Sequence, residues 1–353
     1  MKVMHCFFTM QTGGAQVLAV DVLNKMSEQH QTYLVVVNDL WSQDILAALD
    51  KKVEVILVKR EEGSRNPFPI LRLNYIIKKI RPDIIHCHEN KLAKILFTKR
   101  RGMIFTVHDV GLDLSCLLQY TGVTSISNSV HDDVLSRYNI NTEIVYNGIP
   151  FEKVTRRIKY SLCDGEQIKF VQISRLVHEK KGQMVLIEAF KQLINECSYN
   201  ICLDFVGDGP SYTFLLEQIR DYGLENRISL VGAKSRDWIF SNLHQYHALV
   251  QPSFYEGFGL TVVEGVAAGL PVVASKIEGP LEILEQTNKP LLFEPGNVEE
   301  CAAMLKVVIH SYQNNVLQSV MNENYMTIQH KFSIDNTVNG FLEIYKSNLI
   351  NRR

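Results

Sequence analysis

The sequence predicts an α/β protein built from two doubly wound domains, each with a parallel sheet. The chain has 353 residues, which is more than one ordinary domain requires. Short apolar runs rich in β-branched residues alternate with amphipathic stretches, as they do in βαβ units. The alternation is interrupted once, at the turn sequence Asn147-Gly148-Ile149-Pro150, which separates two such series.

The first series occupies residues 1–150. After Gly14, apolar residues recur at spacings of three and four, at Ala15, Leu18, Val22 and Met26, which predicts a helix directly after the first strand. The predicted strands of this series are Val3–Phe8, Tyr33–Val37, Val53–Val58, Asp83–Cys87, Ile104–His108, Thr124–Ser127 and Ile144–Tyr146.

The second series follows a polar, weakly periodic segment, Phe151–Gln167, which we interpret as a linker. Helices are predicted at Gln183–Ile194 and Ala302–Ile309. The predicted strands are Lys169–Ile173, Ile201–Val206, Ile228–Val231, Ala248–Gln251, Val272–Ala274 and Leu291–Phe293. Ligands of doubly wound sheets bind at the carboxyl ends of the strands, so two facing sheets would form an interdomain cleft.

Composition excludes several classes of protein. Hydrophobic residues make up 46% of the chain and charged residues 21%, which argues against disorder. The net charge of −1 gives no global signature of a nucleic-acid partner. Seven single cysteines without a C-x-x-C pair favour reduced thiols in the cytoplasm. The N-terminus fits a first strand better than a signal peptide, and no apolar run is long enough for a membrane span.

The segment from Ser253 to Pro271 carries the densest functional signal. Glu256 lies in a loop after an apolar run, and Glu264 lies about one turn inside a helix predicted to begin near Gly259. Gly257 and Gly259 allow a ligand to approach the backbone, and the free N–H groups of the helix start suit a diphosphate. Carboxylates beside a phosphate are explained if they accept hydrogen bonds from sugar or ribose hydroxyls. The structural alternatives are a solvated loop residue and a first-turn acid.

Two shorter segments supply further candidates. Arg175 and Lys181 lie in a loop between the first strand of the second series and a helix, where their charges suit a pyrophosphate. The alternative is an exposed charged loop. Gly13 and Gly14 follow the first strand of the chain and could receive a phosphate or an acceptor hydroxyl. The alternative there is a tight turn.

Histidines occur near the ends of two strands of the first series. His108 ends a predicted strand and could act near a reaction centre, although a structural role is the alternative. His86 and His88 alternate on one strand and therefore share a face, which resembles the spacing of metal ligands. The sequence offers no third ligand, so we expect a structural or acceptor-site role and no metal site.

Three absent motifs narrow the chemistry. The chain has no G-x-G-x-x-G, which makes a nicotinamide enzyme unexpected, and no G-x-x-x-x-G-K-[ST], which excludes a P-loop NTPase. It also has no Asp-x-Asp, the usual pair that clamps a divalent metal on a sugar nucleotide. Arg175, Lys181 and the predicted helix N-terminus must then meet the charge of a leaving diphosphate.

These motifs together resemble the retaining glycosyltransferases of family 4, which have the GT-B fold of two Rossmann-like domains facing a cleft. The most specific element is E-x7-E, Glu256 to Glu264, inside E-G-F-G-L-x-x-x-E-G-x-A-x-G-x-P-V-V-A. Further segments follow the family's order and spacing across nearly the whole chain: G-G-A (13–15), I-I-H-C-H (84–88), V-Y-N-G-I (145–149), R-L-x-x-x-K-K-G (175–182) and V-G-D-G-P (206–210).

The resemblance implies a role for each candidate. Arg175 and Lys181 would hold the donor diphosphate, and His108 would reach the donor sugar from the first domain. Glu256 would bind sugar hydroxyls and Glu264 the ribose. These roles make His108, Glu256, Arg175 and Lys181 the expected catalytic residues. The remaining donor-binding residues would be Gly13, Gly14, Gly257, Phe258, Gly259, Leu260 and Thr261. The family retains the anomeric configuration, and the leaving phosphate accepts the acceptor proton, so no protein nucleophile is required.

The resemblance also implies the domain roles and the reaction. Residues 1–150, with a final helix at about 334–353 packed back on them, would bind the acceptor, and residues 151–333 would bind the donor. The expected reaction moves a sugar from a nucleotide-diphosphate sugar, UDP first among nucleotides, to a glycan or lipid-linked acceptor. We expect bacterial polysaccharide, lipopolysaccharide or glycolipid synthesis, no cofactor and no metal. Glu278 stands where the family commonly has glycine, so donor identity cannot be carried over. The alternatives are a sugar-nucleotide 2-epimerase and a non-catalytic sugar-nucleotide binder.

A basic stretch interrupts the even charge distribution. The segment from Arg65 to Arg101 contains ten lysines and arginines but only two acidic residues, Asp83 and Glu89, which gives a local charge of +8 (10 − 2). The interpretation without a function is a solvated, charged surface. The functional one is peripheral contact with an anionic membrane at the inner face of the cell membrane, where a lipid-linked acceptor would reside.

Overall fold

The computed structural model describes residues 1–97, 102–163, 165–196, 200–314 and 316–350. The chain divides into two compact units. The first consists of residues 1–149 together with the chain from Phe332 onward, and the second consists of residues 150–331.

The first unit contains a seven-stranded parallel sheet in the order β3-β2-β1-β4-β5-β6-β7. Its central strands are buried on both faces, which is typical of a parallel sheet covered by helices on each side. The strands are β1 (Lys2–Phe7), β2 (Gln31–Asn38), β3 (Glu54–Arg60), β4 (Ile84–Cys87), β5 (Met103–Val107), β6 (Gly122–Ser125) and β7 (Glu143–Ile144). The pairing of β1 with β4 places His5 beside His86.

The second unit contains a six-stranded parallel sheet in the order β10-β9-β8-β11-β12-β13. Its strands are β8 (Ile168–Ile173), β9 (Ile201–Val206), β10 (Ile228–Gly232), β11 (Ala248–Gln251), β12 (Val272–Ser275) and β13 (Leu291–Phe293). Both sheets reverse their strand order beside the first strand of the unit, as doubly wound sheets do. The predicted fold class, two Rossmann-like α/β domains, is therefore confirmed.

Helices connect the strands. They are α1 (Gly14–Met26), α2 (Gln43–Ala47), α3 (Phe68–Ile80), α4 (Asn128–Tyr138), α5 (His178–Lys181), α6 (Gln183–Glu196), α7 (Tyr212–Asp221), α8 (Arg236–Asn242), α9 (Leu260–Ala267), α10 (Glu278–Leu284), α11 (Val298–Gln313), α12 (Leu317–Phe332) and α13 (Ile334–Ile350). Among the described residues, none of these helices combines the length and the apolar character that crossing a membrane requires.

The last helix, α13, belongs to the core of the first unit. Val338, Phe341 and Tyr345 pack in one cluster with Leu18 and Val22 of α1. Fully burying an apolar side chain of this size contributes roughly 1.5–3 kcal/mol, so several such contacts hold α13 in place. This packing brings the Tyr345 hydroxyl within hydrogen-bond distance of His5 and His86.

The segment interpreted as a linker, Phe151–Gln167, is packed against the second unit instead. The Tyr160 ring is buried in that unit's core, and its hydroxyl donates to the Gly269 carbonyl oxygen at 2.7 Å. The Arg157 guanidinium donates to the Tyr246 carbonyl oxygen at 2.9 Å. The sequence interpretation was wrong because residues held by hydrogen bonds to backbone carbonyls show no apolar period.

Candidate functional site

The predicted site residues fall into two groups, one in each compact unit, and each group is described by itself. The second unit contains Arg175, Lys181 and the segment Glu256–Glu264. The first unit contains Gly13, Gly14 and His108.

Helix α9 begins where the sequence predicts an anion site. Gly259 precedes it with φ +97°, a left-handed conformation that residues with a Cβ rarely adopt. No side chain caps this N-terminus among the described residues. Its first N–H groups and the positive end of its dipole are therefore available to an anion. Phe258 is buried and anchors the loop just before the helix.

The loop that carries Glu278 packs against this turn. A Cβ on Gly279 would lie 2.5 Å from the Phe258 carbonyl oxygen, so only glycine allows the two backbones to approach this closely. Glu278 itself is the first residue of α10 and is exposed. The carboxylate that departs from the family pattern therefore stands at the edge of the Gly259 turn, on the solvent side.

Lys181 and Glu256 are brought together by two separate strand-to-helix connections. The first includes the short helix α5, which ends at Lys181, and the second is the loop between β11 and α9. The Lys181 ammonium and the Glu256 carboxylate form an ion pair at Oε2, and the Gln251 amide donates to the same oxygen at 3.2 Å. Both charged side chains are about four-fifths buried, with exposed fractions of 17% and 20%. Within the described residues Oε1 of Glu256 has no hydrogen-bond partner, so it is the atom available to a ligand.

Backbone contacts fix the spacing of these two loops. The Phe254 N–H donates to the Lys180 carbonyl oxygen at 2.9 Å. Gly182 has φ +65°, and a Cβ there would lie 1.9 Å from the Pro252 carbonyl oxygen. Two loops that touch through backbone atoms hold their side chains with little freedom, which favours a pre-organised site.

A buried amide layer lies under the loop that carries Arg175. The Gln172 amide donates to the Lys181 carbonyl oxygen at 2.8 Å, and the Gln183 amide donates to the Arg175 carbonyl oxygen at 3.2 Å. Both glutamines are fully buried. Buried polar groups of this kind specify one loop conformation because each lost bond is costly. The Arg175 side chain is exposed above this layer.

Glu264 is buried inside α9 and faces Arg236. The Arg236 Nε lies 3.6 Å from Oε1 of Glu264, and Arg236 is the first residue of α8, just after β10 ends. A buried carboxylate requires a cation or hydrogen-bond donors to remain ionised. Arg236 is the cation that the fold places against the buried Glu264 carboxylate.

In the first unit, Gly13 and Gly14 open α1. Gly13 is its N-cap in an extended conformation, without a side-chain cap among the described residues. A Cβ on Gly13 would lie 2.6 Å from Oε1 of Gln16, the far end of a flexible side chain. This N-terminus is also uncapped and half-exposed, which leaves its N–H groups available to a ligand.

His108 ends a chain of hydrogen-bonded rings that extends into the core. Its Nε2 is 2.9 Å from Nδ1 of His88, whose Nε2 is 2.9 Å from Nδ1 of His5. Nε2 of His5 is 3.4 Å from the Tyr345 hydroxyl, which lies 2.6 Å from Nδ1 of His86. Nε2 of His86 is 2.6 Å from Oγ1 of Thr106.

Burial controls the protonation of this chain. It lowers the pKa of His5 to about 3 and that of His108 to about 4, and it holds the pKa values of His86 and His88 well below their usual range. All four rings are therefore neutral near pH 7. Burial also raises the pKa of the neighbouring Glu89 carboxyl to about 8, although the Phe8 N–H that it accepts at 3.1 Å opposes this shift.

The sequence offered no third ligand beside His86 and His88, but the structure provides one. Ligand atoms of His5, His86 and His88 lie within 4.8 Å of one another. All six ring nitrogens of the three residues are already engaged in the hydrogen bonds above. A metal ion would have to replace these bonds, so the donor set favours a hydrogen-bonded chain over a metal centre.

The basic stretch forms an exposed surface. Arg72, Lys78 and Lys79 are exposed on α3, and Phe68 and Tyr75 of the same helix are exposed by 73% and 69%. Large exposed apolar residues beside cations are unusual on a surface that contacts only water. Three of the predicted cations, Lys99, Arg100 and Arg101, lie outside the described residues.

Sequence reasoning missed four residues that the fold adds to these groups: Gln251, Arg236, His5 and Tyr345. Gln251 and Arg236 adjoin strand ends of a parallel sheet, and that position was a usable signal. His5 could have been inferred only from the β1–β4 register. The family resemblance placed the final helix on the first unit, but nothing in the sequence marked Tyr345 as the residue of that helix that meets the histidines.

Comparison with known families gives two adjacent matches. Residues 155–324 match the family model described as "Glycosyl transferases group 1". Residues 12–153 match the one described as "Glycosyltransferase Family 4". The two matches together cover most of the chain, and they include every predicted site residue.

Individual proteins are similar over various lengths. The chain is 30% identical to Protein CapJ of Staphylococcus aureus, over 60% of this chain and 55% of CapJ, so it spans just over half of that relative. It is 25% identical to the lipopolysaccharide core biosynthesis glycosyltransferase LpsD of Rhizobium meliloti, over 87% of each chain. Anabaena Alr3699/HepE, solved in complex with UDP and glucose, has the same fold, with a TM-score of 0.78 at 20% identity over 98% of this chain and 100% of that one.

Proposed function

The chain belongs to glycosyltransferase family 4, and from this we propose that it is a retaining enzyme that moves a sugar from a nucleoside diphosphate donor to an acceptor hydroxyl. The observation that carries the proposal is the group formed by Lys181, Glu256 and the N-terminus of α9 in the second unit. It combines a cation and a free helix start, which suit a diphosphate, with a carboxylate, which suits hydroxyls.

The proposed donor contacts follow from charge and chemistry. Arg175 and Lys181, with the N–H groups at the start of α9, would stabilise the negative charge that grows on the leaving diphosphate. Glu256 would accept hydrogen bonds from sugar hydroxyls through Oε1, and Glu264, held by Arg236, would accept from the ribose. In this assignment both carboxylates contact hydroxyl groups of the donor, and neither contacts its phosphates.

In the first unit, His108 would contact the transferred sugar or the acceptor hydroxyl, and the uncapped start of α1 at Gly13 and Gly14 would lie against the transferred group. His108 is neutral at pH 7 because burial lowers its pKa to about 4, so it would act as a hydrogen-bond partner, not as a cation. The leaving phosphate oxygen would accept the acceptor proton, and no protein nucleophile is needed.

UDP is the proposed nucleotide, and the donor set needs no metal. The HepE structure holds UDP and glucose on the same fold, which favours uridine without deciding the sugar. The name of LpsD favours an acceptor in the synthesis of lipopolysaccharide or a related glycan or glycolipid. Binding of an anionic membrane through α3 would bring the enzyme to a lipid-linked acceptor.

A thermal-shift screen tests the class and the nucleotide together. We expect UDP and UDP-sugars to raise the melting temperature more than the corresponding GDP, ADP and CDP compounds. Slow hydrolysis of one UDP-sugar should then release UDP and free sugar. A 2-epimerase would interconvert two donors without an acceptor, and a non-catalytic binder would leave the donor intact over days, and either result would refute the proposal.

A further inference from the structure

The chain of rings behind His108 has a direction, because a neutral imidazole donates through one nitrogen and accepts through the other. Five groups are linked in series, from His108 through His88, His5 and Tyr345 to His86. Fixing the proton at any one of the links therefore fixes all of the others, including the link at His108.

Tyr345 is the link that sets the direction. Its hydroxyl has one proton and two neighbours, Nδ1 of His86 at 2.6 Å and Nε2 of His5 at 3.4 Å. Bonds donated by an O–H fall at about 2.5–3.0 Å, whereas N–H donors form longer ones. The phenol proton therefore lies in the short bond to His86, and His5 supplies the N–H of the long bond to Tyr345.

The remaining protons follow from this assignment. His5 carries its proton on Nε2, so its Nδ1 accepts from His88. His88 then accepts at Nδ1 from His108, whose proton is on Nε2. At the other end, His86 donates from Nε2 to Thr106, whose hydroxyl lies 2.7 Å from that of Thr124 and donates to it. Near-coplanar rings, with interplanar angles of 24° and 29°, suit these in-plane bonds.

We propose that Tyr345 acts as a positioning residue, fixing His108 in the tautomer that carries its proton on Nε2 and presents Nδ1 as an acceptor only. This inference rests on the proposed function for its consequence, because an acceptor-only Nδ1 selects a ligand that offers a hydroxyl donor at that point. A sugar or acceptor hydroxyl meets this requirement, whereas a fluorine or a carbonyl oxygen in its place does not.

The low pKa values of the four rings support the chain, because a protonated ring would donate at both nitrogens and break the series. The rings of His5, His86 and His88 are buried, and the charged neighbours that also lower their pKa values are other histidines of the same series. Glu89 follows His88 in the sequence, and its pKa is raised to about 8. It is therefore mostly protonated below pH 8 and carries no negative charge that would favour protonated rings.

The test is two-bond 1H–15N NMR of protein labelled with 15N-histidine, which distinguishes the two neutral tautomers without donor or acceptor. A His108→Gln sample identifies the His108 resonances among the eleven histidines. We expect wild-type His108 to carry its proton on Nε2. In Tyr345→Phe, which removes one oxygen from a buried ring, we expect His108 to populate the Nδ1–H tautomer.

A second variant and a control keep the test decisive. Thr106→Val removes the acceptor of the His86 proton from the other end, and it should shift His108 in the same direction as Tyr345→Phe. Tyr312→Phe removes an equally buried hydroxyl from the second unit, where it donates to the His247 carbonyl at 2.8 Å, and it should leave His108 unchanged. The inference would be overturned by an Nδ1–H tautomer of His108 in the wild type. It would also be overturned if Tyr345→Phe and Thr106→Val both fold and leave the His108 tautomer unchanged.

The tautomer measurement is independent of catalysis, so it can succeed even if the proposed function fails. If the enzyme is active, Tyr345→Phe should lower kcat/KM about five- to tenfold, the equivalent of one hydrogen bond. Its affinity for the bare nucleoside diphosphate should stay at the wild-type value, because a merely structural loss would lower both.

Discussion

Lys181 and Glu256 form a partly buried ion pair at the carboxyl ends of β8 and β11, although 75 positions separate them in the sequence. The pair places the cation that we propose binds phosphate against the carboxylate that we propose binds sugar hydroxyls. Each group limits the other, because the carboxylate reduces the charge that Lys181 offers to an anion. The first prediction follows from this opposition.

Glu256→Gln should bind the bare nucleoside diphosphate at least as tightly as the wild type. The substitution removes a negative charge beside Lys181 and removes no contact with the nucleotide. Turnover should fall roughly ten- to a hundredfold, because a charge-assisted bond of about 1.5–3 kcal/mol to the sugar is lost as the anomeric carbon becomes cationic. Calorimetry with the diphosphate and initial rates with the whole donor measure the two effects.

Glu179→Gln is the matched control for that variant. Glu179 is an exposed carboxylate on α5, two residues before Lys181, and it lies beside His178. Its removal should change neither diphosphate affinity nor turnover appreciably. Equal losses of diphosphate affinity in the Glu256 and Glu264 variants would instead mean that both carboxylates are structural supports of one phosphate loop.

Glu264→Gln should weaken the bare diphosphate and the whole donor alike, by about ten- to a hundredfold. The ribose is present in both ligands, so the loss should appear in the dissociation constant and not only in turnover. Arg236→Gln should produce a smaller loss in the same direction, because Arg236 acts through Glu264 at 3.6 Å. Diphosphate affinities that stay at the wild-type value in both variants would remove Glu264 from the nucleotide site.

Anomer-resolved NMR of the product should show the donor's configuration, and activity should survive EDTA. In the proposed mechanism Arg175, Lys181 and the start of α9 would meet the charge on the leaving diphosphate, and the chain lacks an Asp-x-Asp pair. An inverted product would contradict the mechanism. Complete loss of activity in EDTA that magnesium or manganese restores would contradict the donor set.

The sequence predicts the two sheets well because parallel strands are buried on both faces and give continuous apolar runs. Ile201–Val206 is one case in which the predicted and observed bounds are the same. The E-x7-E segment could be predicted equally well, because a glycine turn followed by a helix start has a recognisable spacing in the sequence. These features are local, and a local pattern is all that one sequence displays.

The parts that the sequence could not provide depend on distant contacts. The pairing of Lys181 with Glu256 requires the β8–β11 adjacency, and the third histidine, His5, requires the register of β1 on β4. Tyr345 reaches the ring chain only because α13 packs on the first unit. Polar segments such as the one around Tyr160 look like linkers because their order comes from bonds to backbone carbonyls, not from an apolar period.

Stability should reach a maximum near pH 6.5. The buried histidines stay neutral in the folded state, while unfolded imidazoles bind protons below about pH 6.5. The unfolded state therefore holds more protons between about pH 4 and 6.5, so stability rises with pH there, by up to about 1.4 kcal/mol per pH unit for each ring. Glu89 acts in the opposite sense, because its pKa is raised from 4.5 to about 8 in the folded state.

Thermal scans from pH 5 to 8.5 measure both limbs of the stability curve, the acid limb below about pH 6.5 and the alkaline limb above it. The folded state holds the Glu89 proton that the unfolded state releases, so stability falls as pH rises toward 8. Glu89→Gln, which keeps the acceptor for the Phe8 N–H, should flatten this alkaline limb. It should also steepen the acid limb, because the contribution of Glu89 extends from about pH 4.5 to 8 and opposes that of the histidines below pH 6.5. A wild-type melting temperature that does not rise from pH 5 to pH 6.5 would contradict neutral buried rings.

The surface of α3 should bind anionic vesicles at low salt. Phe68, Leu71 and Tyr75 lie three and four positions apart and so share one exposed face, with Arg72, Lys78 and Lys79 beside them. Each cation near an anionic bilayer contributes on the order of 1 kcal/mol, and the apolar rings add the area that they bury. Flotation should therefore recover more protein with vesicles rich in anionic lipid than with neutral ones, and added salt should reverse the difference.

Two variants separate this docking from nonspecific stickiness. Arg72→Glu with Lys79→Glu reverses the charge of the face, and Phe68→Ser with Tyr75→Ser removes its rings. Each pair should abolish most of the recovery, because charge and apolar burial act together. Leu118→Ser with Met326→Ser removes two other exposed apolar residues, 92% and 64% exposed, and should change nothing. If anionic vesicles recruit the wild type no better than neutral ones, or if the control pair loses as much as the α3 pairs, the basic stretch is a solvated surface and the acceptor reaches the enzyme by another route.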